Sequence, residues 1–222
     1  MYRFCSAVLL VAALGCGSGD AKPSAPVAKD GPSIYFRESS AAYEQGVAAL
    51  RRKEIERADQ LFAKATKLDR DNHAAWFQSG VLLAQRGRWQ KALGPLGRAS
   101  ELVRGNAVYS FHYGRALLET GELGAALKVL GRSVEDDPEQ YQAHYFYGIA
   151  SERAGDFRSA AVAWSESARL EPCFPPAFIR LAQLYERWQF RARAMVVAEK
   201  GLECQREVAH SRWKLWAICG RV

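Results

Sequence analysis

A period of 34 residues runs through most of the 222-residue chain. Glycine recurs at this spacing in the first half of each period, and alanine and a bulky residue recur in the second half. The glycines are Gly46, Gly80, Gly114 and Gly148; the alanines are Ala58, Ala92, Ala126, Ala160 and Ala194; the bulky residues are Phe62, Leu96, Leu130 and Trp164, with Ala198 as the weak member. This repetition predicts stacked copies of one small unit, because a single unit cannot bury its own apolar faces.

The second period carries the most specific motif. Trp76 and Gly80 have the spacing of a W-x₂-L-G-x₂-Y signature, and Pro138 and Pro172 close two later periods. On these residues the sequence resembles the tetratricopeptide repeat (TPR) family. The resemblance implies an all-α solenoid of five units, each with a helix A and a helix B, and then a capping helix. The implied units are 39–72, 73–106, 107–140, 141–174 and 175–208, and the cap is 209–222.

Glycines also mark the turns inside the units. Gly87, Gly121 and Gly155 fall just past the end of helix A in units 2 to 4. A left-handed residue can terminate a helix there, and glycine adopts that conformation at little cost. In unit 5 the residue that aligns with the other units' recurrent helix A glycine is Ala182. Before unit 1, residues 34–36 are expected to fold back over the first helix.

The N-terminus has the plan of a secretory signal. Arg3 precedes an apolar stretch over residues 7–14, which is too short to span a bilayer as a helix. The ending Ala13-Leu14-Gly15-Cys16 resembles the lipobox of bacterial lipoproteins. The resemblance implies that residues 1–15 are a removed signal peptide and that Cys16 carries thioether-linked lipid and an acylated amine, palmitate included. The alternative is an ordinary cleaved signal with an incidental cysteine.

The lipidated cysteine and a flexible tether are expected over residues 16–38. Residues 17–33 are mostly Gly, Ser, Ala and Pro and contain almost nothing that could pack. By analogy with lipoprotein sorting, Gly17 after the cysteine favours the outer membrane over the inner membrane. The predicted location is therefore the periplasmic side of a bacterial outer membrane.

The TPR resemblance also implies a concave groove lined by successive A helices. The groove residues carried over from the family are Tyr43, Val47, Phe77, Val81, Phe111, Arg115, Tyr145, Ile149 and, in the cap, Trp213. Such a ladder suits an extended segment or an amphipathic helix with apolar anchors. The alternative is that the aromatics pack on neighbouring units or on the N-terminal segment. Arg115 could meet a partner's carboxylate, or pair with Glu119.

The net charge of +7 is unevenly distributed along the chain. Unit 2 carries +4 and unit 3 carries −3. The unit 2 cations could bind an anionic glycan or lipid, although such residues are more often a solvated face. Nucleic acid is not an expected partner, because the chain has an export signal and no visible DNA- or RNA-binding motif. The unit 2 basic patch consists of Arg86, Arg88, Lys91, Arg98 and Arg104.

No catalytic or metal-binding motif is visible. The four histidines make no H-E-x-x-H and no zinc spacing with cysteine, and neither a Walker A nor a G-x-S-x-G motif is present. No catalytic residue, metal, small-molecule substrate or cofactor other than the covalent lipid is predicted. Cys173 and Cys204 fall near the ends of adjacent B helices and could form a disulfide or remain free thiols.

These features together predict a membrane-anchored TPR lipoprotein that acts as a protein–protein interaction scaffold in cell-envelope assembly. A role like that of the pilotins, which help secretins of type IV pili assemble, fits the size and the plan. Adaptors for a cell-wall hydrolase or for the barrel-assembly machinery share the same features. Two rivals from other classes are an anchored binder of anionic glycan or lipid and a hydrolase with no recognisable motif.

Overall fold

The computed structural model describes residues 34–203, which form ten α-helices and contain no strand. The signal peptide, Cys16 and the capping segment 209–222 lie outside the described residues. The helices are α1 (Ile34–Arg51), α2 (Ile55–Leu68), α3 (His73–Gln85), α4 (Trp89–Leu102), α5 (Ala107–Thr120), α6 (Leu123–Asp136), α7 (Tyr141–Arg153), α8 (Phe157–Leu170), α9 (Pro175–Arg187) and α10 (Arg191–Glu203).

The helices alternate in the predicted order of helix A and helix B, which makes residues 34–203 an all-α solenoid of paired helices. Helices α3, α5, α7 and α9 begin at the first residues of units 2 to 5. At the front the prediction was wrong, because α1 begins at Ile34 and residues 34–38 belong to a helix. That stretch holds no glycine or proline, so nothing in it stops the helix from extending beyond the repeat. Ile34 is 66% exposed, and it therefore does not fold back over α1.

Each helix packs against the next one along the chain, and A helices of adjacent units also touch, α3 against α5 and α5 against α7. The largest buried cluster joins α5 through α9 and includes Leu118, Leu130 and Trp164. The apolar layer is therefore continuous between units, as expected for units that cannot bury their apolar faces alone. None of the helices in residues 34–203 is both long and apolar enough to cross a membrane.

The 34-residue glycine period is explained by close helix packing within each unit. A Cβ placed on Gly148 would lie 2.5 Å from Nε1 of Trp164, and one on Gly114 would lie 2.7 Å from Cγ of Leu130. Both distances are far below van der Waals contact, so only glycine fits opposite these large side chains. The same relation holds for Gly46 with Phe62 and for Gly80 with Leu96.

The turns between helices A and B use the predicted left-handed residue. The φ angles of Gly87, Gly121 and Gly155 are +71°, +87° and +85°. The first and last units place Lys53 and Gln189 at the same position, each with φ of 63°. A left-handed conformation costs a residue with a side chain about 1 kcal/mol, so the two end turns are strained where the three central turns are not.

Candidate peptide-binding face

The predicted groove residues of the described chain lie at two register positions on α1, α3, α5 and α7, and this set is called the A-helix face. Its members differ in exposure. Phe111 and Ile149 are 7% and 8% exposed and belong to the core, so they offer a partner little surface. The remaining members are half-buried: Tyr43, Val47, Phe77, Val81, Arg115 and Tyr145. Trp213, the ninth predicted residue, lies outside the described residues.

Aromatic rings connect the A-helix face across three units. The ring of Phe77 stacks on Tyr109 with centroids 4.5 Å apart and meets the edge of His112 at 5.1 Å. Phe111 in turn packs edge-on against Phe146, with centroids 5.6 Å apart. These contacts make a continuous aromatic strip along α3, α5 and α7. The aromatics therefore pack on neighbouring units, as the alternative prediction held, while Phe77 remains partly open to solvent.

Two titratable groups in the strip have shifted pKa values. Burial, and then the positive charge of Arg115, lowers the pKa of His112 from 6.5 to about 4. Burial, and then the nearby Tyr43 phenol, raises the pKa of Tyr109. The hydroxyl of Tyr109 lies 2.9 Å from Nδ1 of His73. Both His112 and Tyr109 are therefore uncharged at neutral pH, and this part of the strip presents neutral rings.

Arg115 is the one cation among the predicted groove residues. Its guanidinium carbon lies 5.2 Å from the ring centre of Trp89 and 4.8 Å from that of Phe146, so two aromatic rings hold it by cation–π contact. Its Nε is buried without a hydrogen-bond partner. The expected pairing with Glu119 is not among the ion pairs of the described residues. The rings instead hold the guanidinium within the aromatic strip.

Several charged side chains on α7 and α9 contact other residues of the protein. Nη1 of Arg180 lies 3.3 Å from Oε2 of Glu152, and Nη1 of Arg153 donates a hydrogen bond of 2.9 Å to the carbonyl of Leu118. The guanidinium of Arg187 lies 4.7 Å from the ring centre of Phe157. Each contact joins two neighbouring units, so these charged side chains stabilise the stacking of the units.

The unit 2 basic patch is partly neutralised by acids of unit 1. Arg86 lies 3.3 Å from a carboxylate oxygen of Glu56 and 3.4 Å from one of Asp59. Arg98 lies 3.1 Å from Asp71. Arg88, Lys91 and Arg104 are exposed and are in no ion pair within residues 34–203. Three cations therefore remain for an anionic ligand where the sequence offered five.

Cys173 lies in the turn between α8 and α9 and is disulfide-bonded in the structure. Cys204 and every other cysteine lie outside the described residues, so the Cys173–Cys204 pairing stays a prediction. Among residues 34–203, no group of three His, Cys, Asp or Glu side chains is placed to hold a metal ion.

The repeat pattern and the fold identify the class of protein. A model of the tetratricopeptide repeat family matches residues 38–107 and 114–177, which is more than half of the chain. The chain therefore belongs to the TPR family. Proteins of this family are interaction scaffolds that bind peptide or protein partners, and they are generally not enzymes. No curated protein sequence matches the chain.

Solved TPR proteins share the fold at low sequence identity. MamA from Desulfovibrio magneticus RS-1 has a TM-score of 0.70 and 21% identity, over 76% of this chain and 96% of that chain. PilF of Pseudomonas aeruginosa has a TM-score of 0.68 and 18% identity, over 85% and 90%. YrrB, described as having an unusual peptide-binding site, has 0.67 and 19%, over 83% and 97%. Identities this low show the fold alone.

Reasoning from the sequence missed several residues that shape this face. Trp89, His112 and Phe146 form the surroundings of Arg115, but they occupy register positions that the family pattern does not assign to the groove. Their aromatic character was the available signal. Only the structure shows that side chains from α4 and α7 meet at Arg115.

Proposed function

We propose that the chain is a lipid-anchored TPR scaffold of the bacterial cell envelope, and that its A-helix face binds an extended or helical segment of a protein partner. The observation that carries the proposal is the aromatic strip with Arg115 held inside it. Half-buried rings supply apolar contact area at low conformational cost. A guanidinium held between rings is preorganised for a carboxylate. The preferred segment therefore carries apolar anchors and an acidic side chain that reaches Arg115.

The anchor rests on the N-terminal sequence. The leader, the lipobox ending at Cys16 and the tether are the features of an exported lipoprotein. A lipid-modified Cys16 would hold the solenoid to the periplasmic face of the outer membrane, since each buried CH₂ contributes about 0.8 kcal/mol and several acyl chains make a stable anchor.

Within this proposal, the particular role we favour is that of a pilotin that helps a secretin assemble. Support comes from the combination of a lipoprotein leader with the fold shared by PilF of Pseudomonas aeruginosa. Adaptors for a cell-wall hydrolase or for the barrel-assembly machinery share that combination, so the identity of the partner distinguishes these roles. Binding of an anionic glycan or lipid is the rival, and the internal pairing of Arg86 and Arg98 weakens it.

The partner can be identified by crosslinking in living cells. A photoreactive amino acid at Val81, which is half-buried on the A-helix face, should capture a partner protein for mass spectrometry. The same group at Val196, which is 52% exposed on α10, serves as the matched control position. A secretin captured from Val81 and not from Val196 supports the pilotin role. A hydrolase or a barrel-assembly protein captured there supports the corresponding adaptor role instead.

The chemistry of the face is tested with paired variants. Phe77→Ala and Arg115→Gln should each weaken capture of the partner by about tenfold, since aromatic and arginine residues dominate binding energy. Arg132→Gln, which removes an exposed cation of the same unit from α6, should change capture by less than about twofold. Circular dichroism confirms that the variants remain folded. Equal capture by all three variants would show that the partner binds elsewhere.

The anchor is tested separately. Growth with an alkyne-labelled fatty acid should label the protein, and Cys16→Ser should abolish the label and release the protein from the membrane fraction. Cys219→Ser is the matched control and should keep both. A Cys16→Ser protein that still carries the label refutes lipidation at this residue without bearing on the A-helix face.

A further inference from the structure

A second apolar surface, which shares no residue with the A-helix face, lies where helix B of unit 4 meets the turn of unit 5. A notch of about 540 Å³ opens between α8, the end of α9 and the start of α10. One wall consists of three aromatic side chains, Tyr185, Trp188 and Phe190. The ring centroid of Trp188 lies 6.2 Å from that of Tyr185 and 6.2 Å from that of Phe190. Val162 on α8 also lines the notch and is 66% exposed, and Phe190 is 49% exposed. The notch is thus an apolar surface open to solvent.

The other units provide an internal comparison for this surface. The residues that correspond to the turn Trp188-Gln189-Phe190 are Arg-Lys-Glu in unit 1, Arg-Gly-Arg in unit 2, Thr-Gly-Glu in unit 3 and Ala-Gly-Asp in unit 4. Four of the five units therefore place small, polar or charged residues at an exposed turn where unit 5 places two large aromatics. The turn conformation is the same, since Gln189 is left-handed like Gly121. The turn itself therefore does not require the aromatics.

The charged side chains that line the notch within the described residues are both cationic. Arg158 on α8 and Arg193 on α10 line it, and no acidic side chain of residues 34–203 does. The guanidinium of Arg193 lies 5.6 Å from the ring centre of Phe190, and within the described chain neither arginine is in an ion pair. The nearby acid Asp156 caps α8 by accepting a hydrogen bond from the backbone N–H of Ser159. Asp156 also interacts electrostatically with Arg158. The notch therefore combines an apolar wall with two exposed arginines that are in no ion pair within residues 34–203.

We propose that this notch is a second docking site, which binds an acidic protein segment carrying an aromatic or large aliphatic anchor. The anchor enters between Val162 and the aromatic wall, and flanking carboxylates meet Arg158 and Arg193. The chain's own flanking segments do not match this chemistry. Residues 204–222 carry a net charge of +3, and residues 17–33 have no net charge and no aromatic residue. Charge complementarity thus favours a separate protein that carries the acidic segment.

The test is a selection of displayed random peptides of about 12 residues on the full chain. Binders are then sorted by the variants that weaken them. The proposal expects one class with acids beside an aromatic or aliphatic residue, which loses about tenfold in affinity on Phe190→Ser and on Arg193→Glu. This class should keep its affinity on Phe77→Ala, whereas binders of the A-helix face should show the reverse. The experiment can therefore disprove binding at the notch and binding at the A-helix face separately.

Two matched controls separate the notch from general surface effects. Val196→Ser removes a comparably exposed apolar residue of α10, and Arg191→Glu makes the same change of charge as Arg193→Glu outside the notch. Both should leave the acidic class within about twofold of its starting affinity. The proposal is overturned if no selected class depends on the notch, or if Arg191→Glu weakens binding as much as Arg193→Glu. It is also overturned if Phe190→Ser abolishes only self-association of the chain or flotation with phosphatidylglycerol vesicles.

Discussion

Units 3 and 4 differ from unit 5 in how they solve the same packing problem. In units 3 and 4 a glycine on helix A faces a large residue on helix B, Gly114 against Leu130 and Gly148 against Trp164. Unit 5 has Ala182 and Ala198 at these positions, and both are fully buried. The extra methyl group on helix A is thus accompanied by the loss of a large side chain on helix B. The alanine pair of unit 5 therefore fills less space between the helices than the glycine and large-residue pairs of units 3 and 4 do.

The same two regions differ in how much core they build. The central cluster has large residues with 2% exposure or less, such as Leu117, Leu118 and Leu130. Within residues 34–203 the separate unit 5 cluster has one large buried residue, Phe178, and three alanines, while Leu181 and Leu184 of unit 5 join the central cluster. Because the stability of a repeat protein is roughly a sum over units and their interfaces, unit 5 is expected to open before the centre does.

Trp164→Ala should produce the largest loss of stability. Trp164 is fully buried, and its indole N–H donates a hydrogen bond of 3.1 Å to the carbonyl of Tyr145. We expect a loss of about 3–5 kcal/mol from the cavity and the unpaired carbonyl. The equivalent change in unit 5, Ala198→Gly, should cost only about 1 kcal/mol. Hydrogen exchange of the α7 and α8 amides measures the loss of stability in Trp164→Ala. Similar losses of stability in Trp164→Ala and Ala198→Gly would contradict the difference between the central units and unit 5.

Gly114→Ala should cost about 2 kcal/mol, because the new Cβ would lie 2.7 Å from Cγ of Leu130. Leu130→Ala alone leaves a cavity and should cost about 2–5 kcal/mol. The double variant reproduces the alanine pair of unit 5, so its loss should be smaller than the sum of the single losses by at least about 1 kcal/mol. Urea denaturation followed by circular dichroism gives the three values. Strict additivity would mean that the two positions do not share one space.

Acidification should destabilise the centre through His112. Its pKa is lowered to about 4 in the folded protein by burial and then by Arg115. Below pH 6.5 the unfolded chain takes up a proton that the folded chain does not, so stability is lost as the pH falls from 6.5 to 4. The loss is on the order of 3 kcal/mol. His112→Phe keeps an aromatic ring beside Phe77 and should remove the loss of stability between pH 6.5 and 4. If the stability of this variant depends on pH as that of the unchanged protein does, His112 is not the cause.

Much of the fold was predictable from the sequence, because the repeat fixes where helices begin and where turns occur. The left-handed turns at Gly87, Gly121 and Gly155 were predicted because glycine is the usual residue there. The same turn at Lys53 was missed, since a residue with a side chain gives no such signal. The site was less predictable. The register assigns Phe111 to the groove, but whether a ring faces solvent or packs into the next unit depends on the neighbouring helix, here through Phe146.

The smallest expected effects come from exchanging the turn residues of the centre and the ends. Gly121 has no atom within 4 Å of an added Cβ, so Gly121→Ala should lose about 1 kcal/mol from the left-handed backbone alone. Gln189→Gly should gain about 0.5 kcal/mol, because relief of the strain exceeds the added freedom of the unfolded chain. Lys53→Gly repeats the test in unit 1. Urea denaturation measures the free energy of unfolding, which should fall for Gly121→Ala and rise for Gln189→Gly. If it falls for both, side-chain contacts at the end turns contribute more than the backbone strain does.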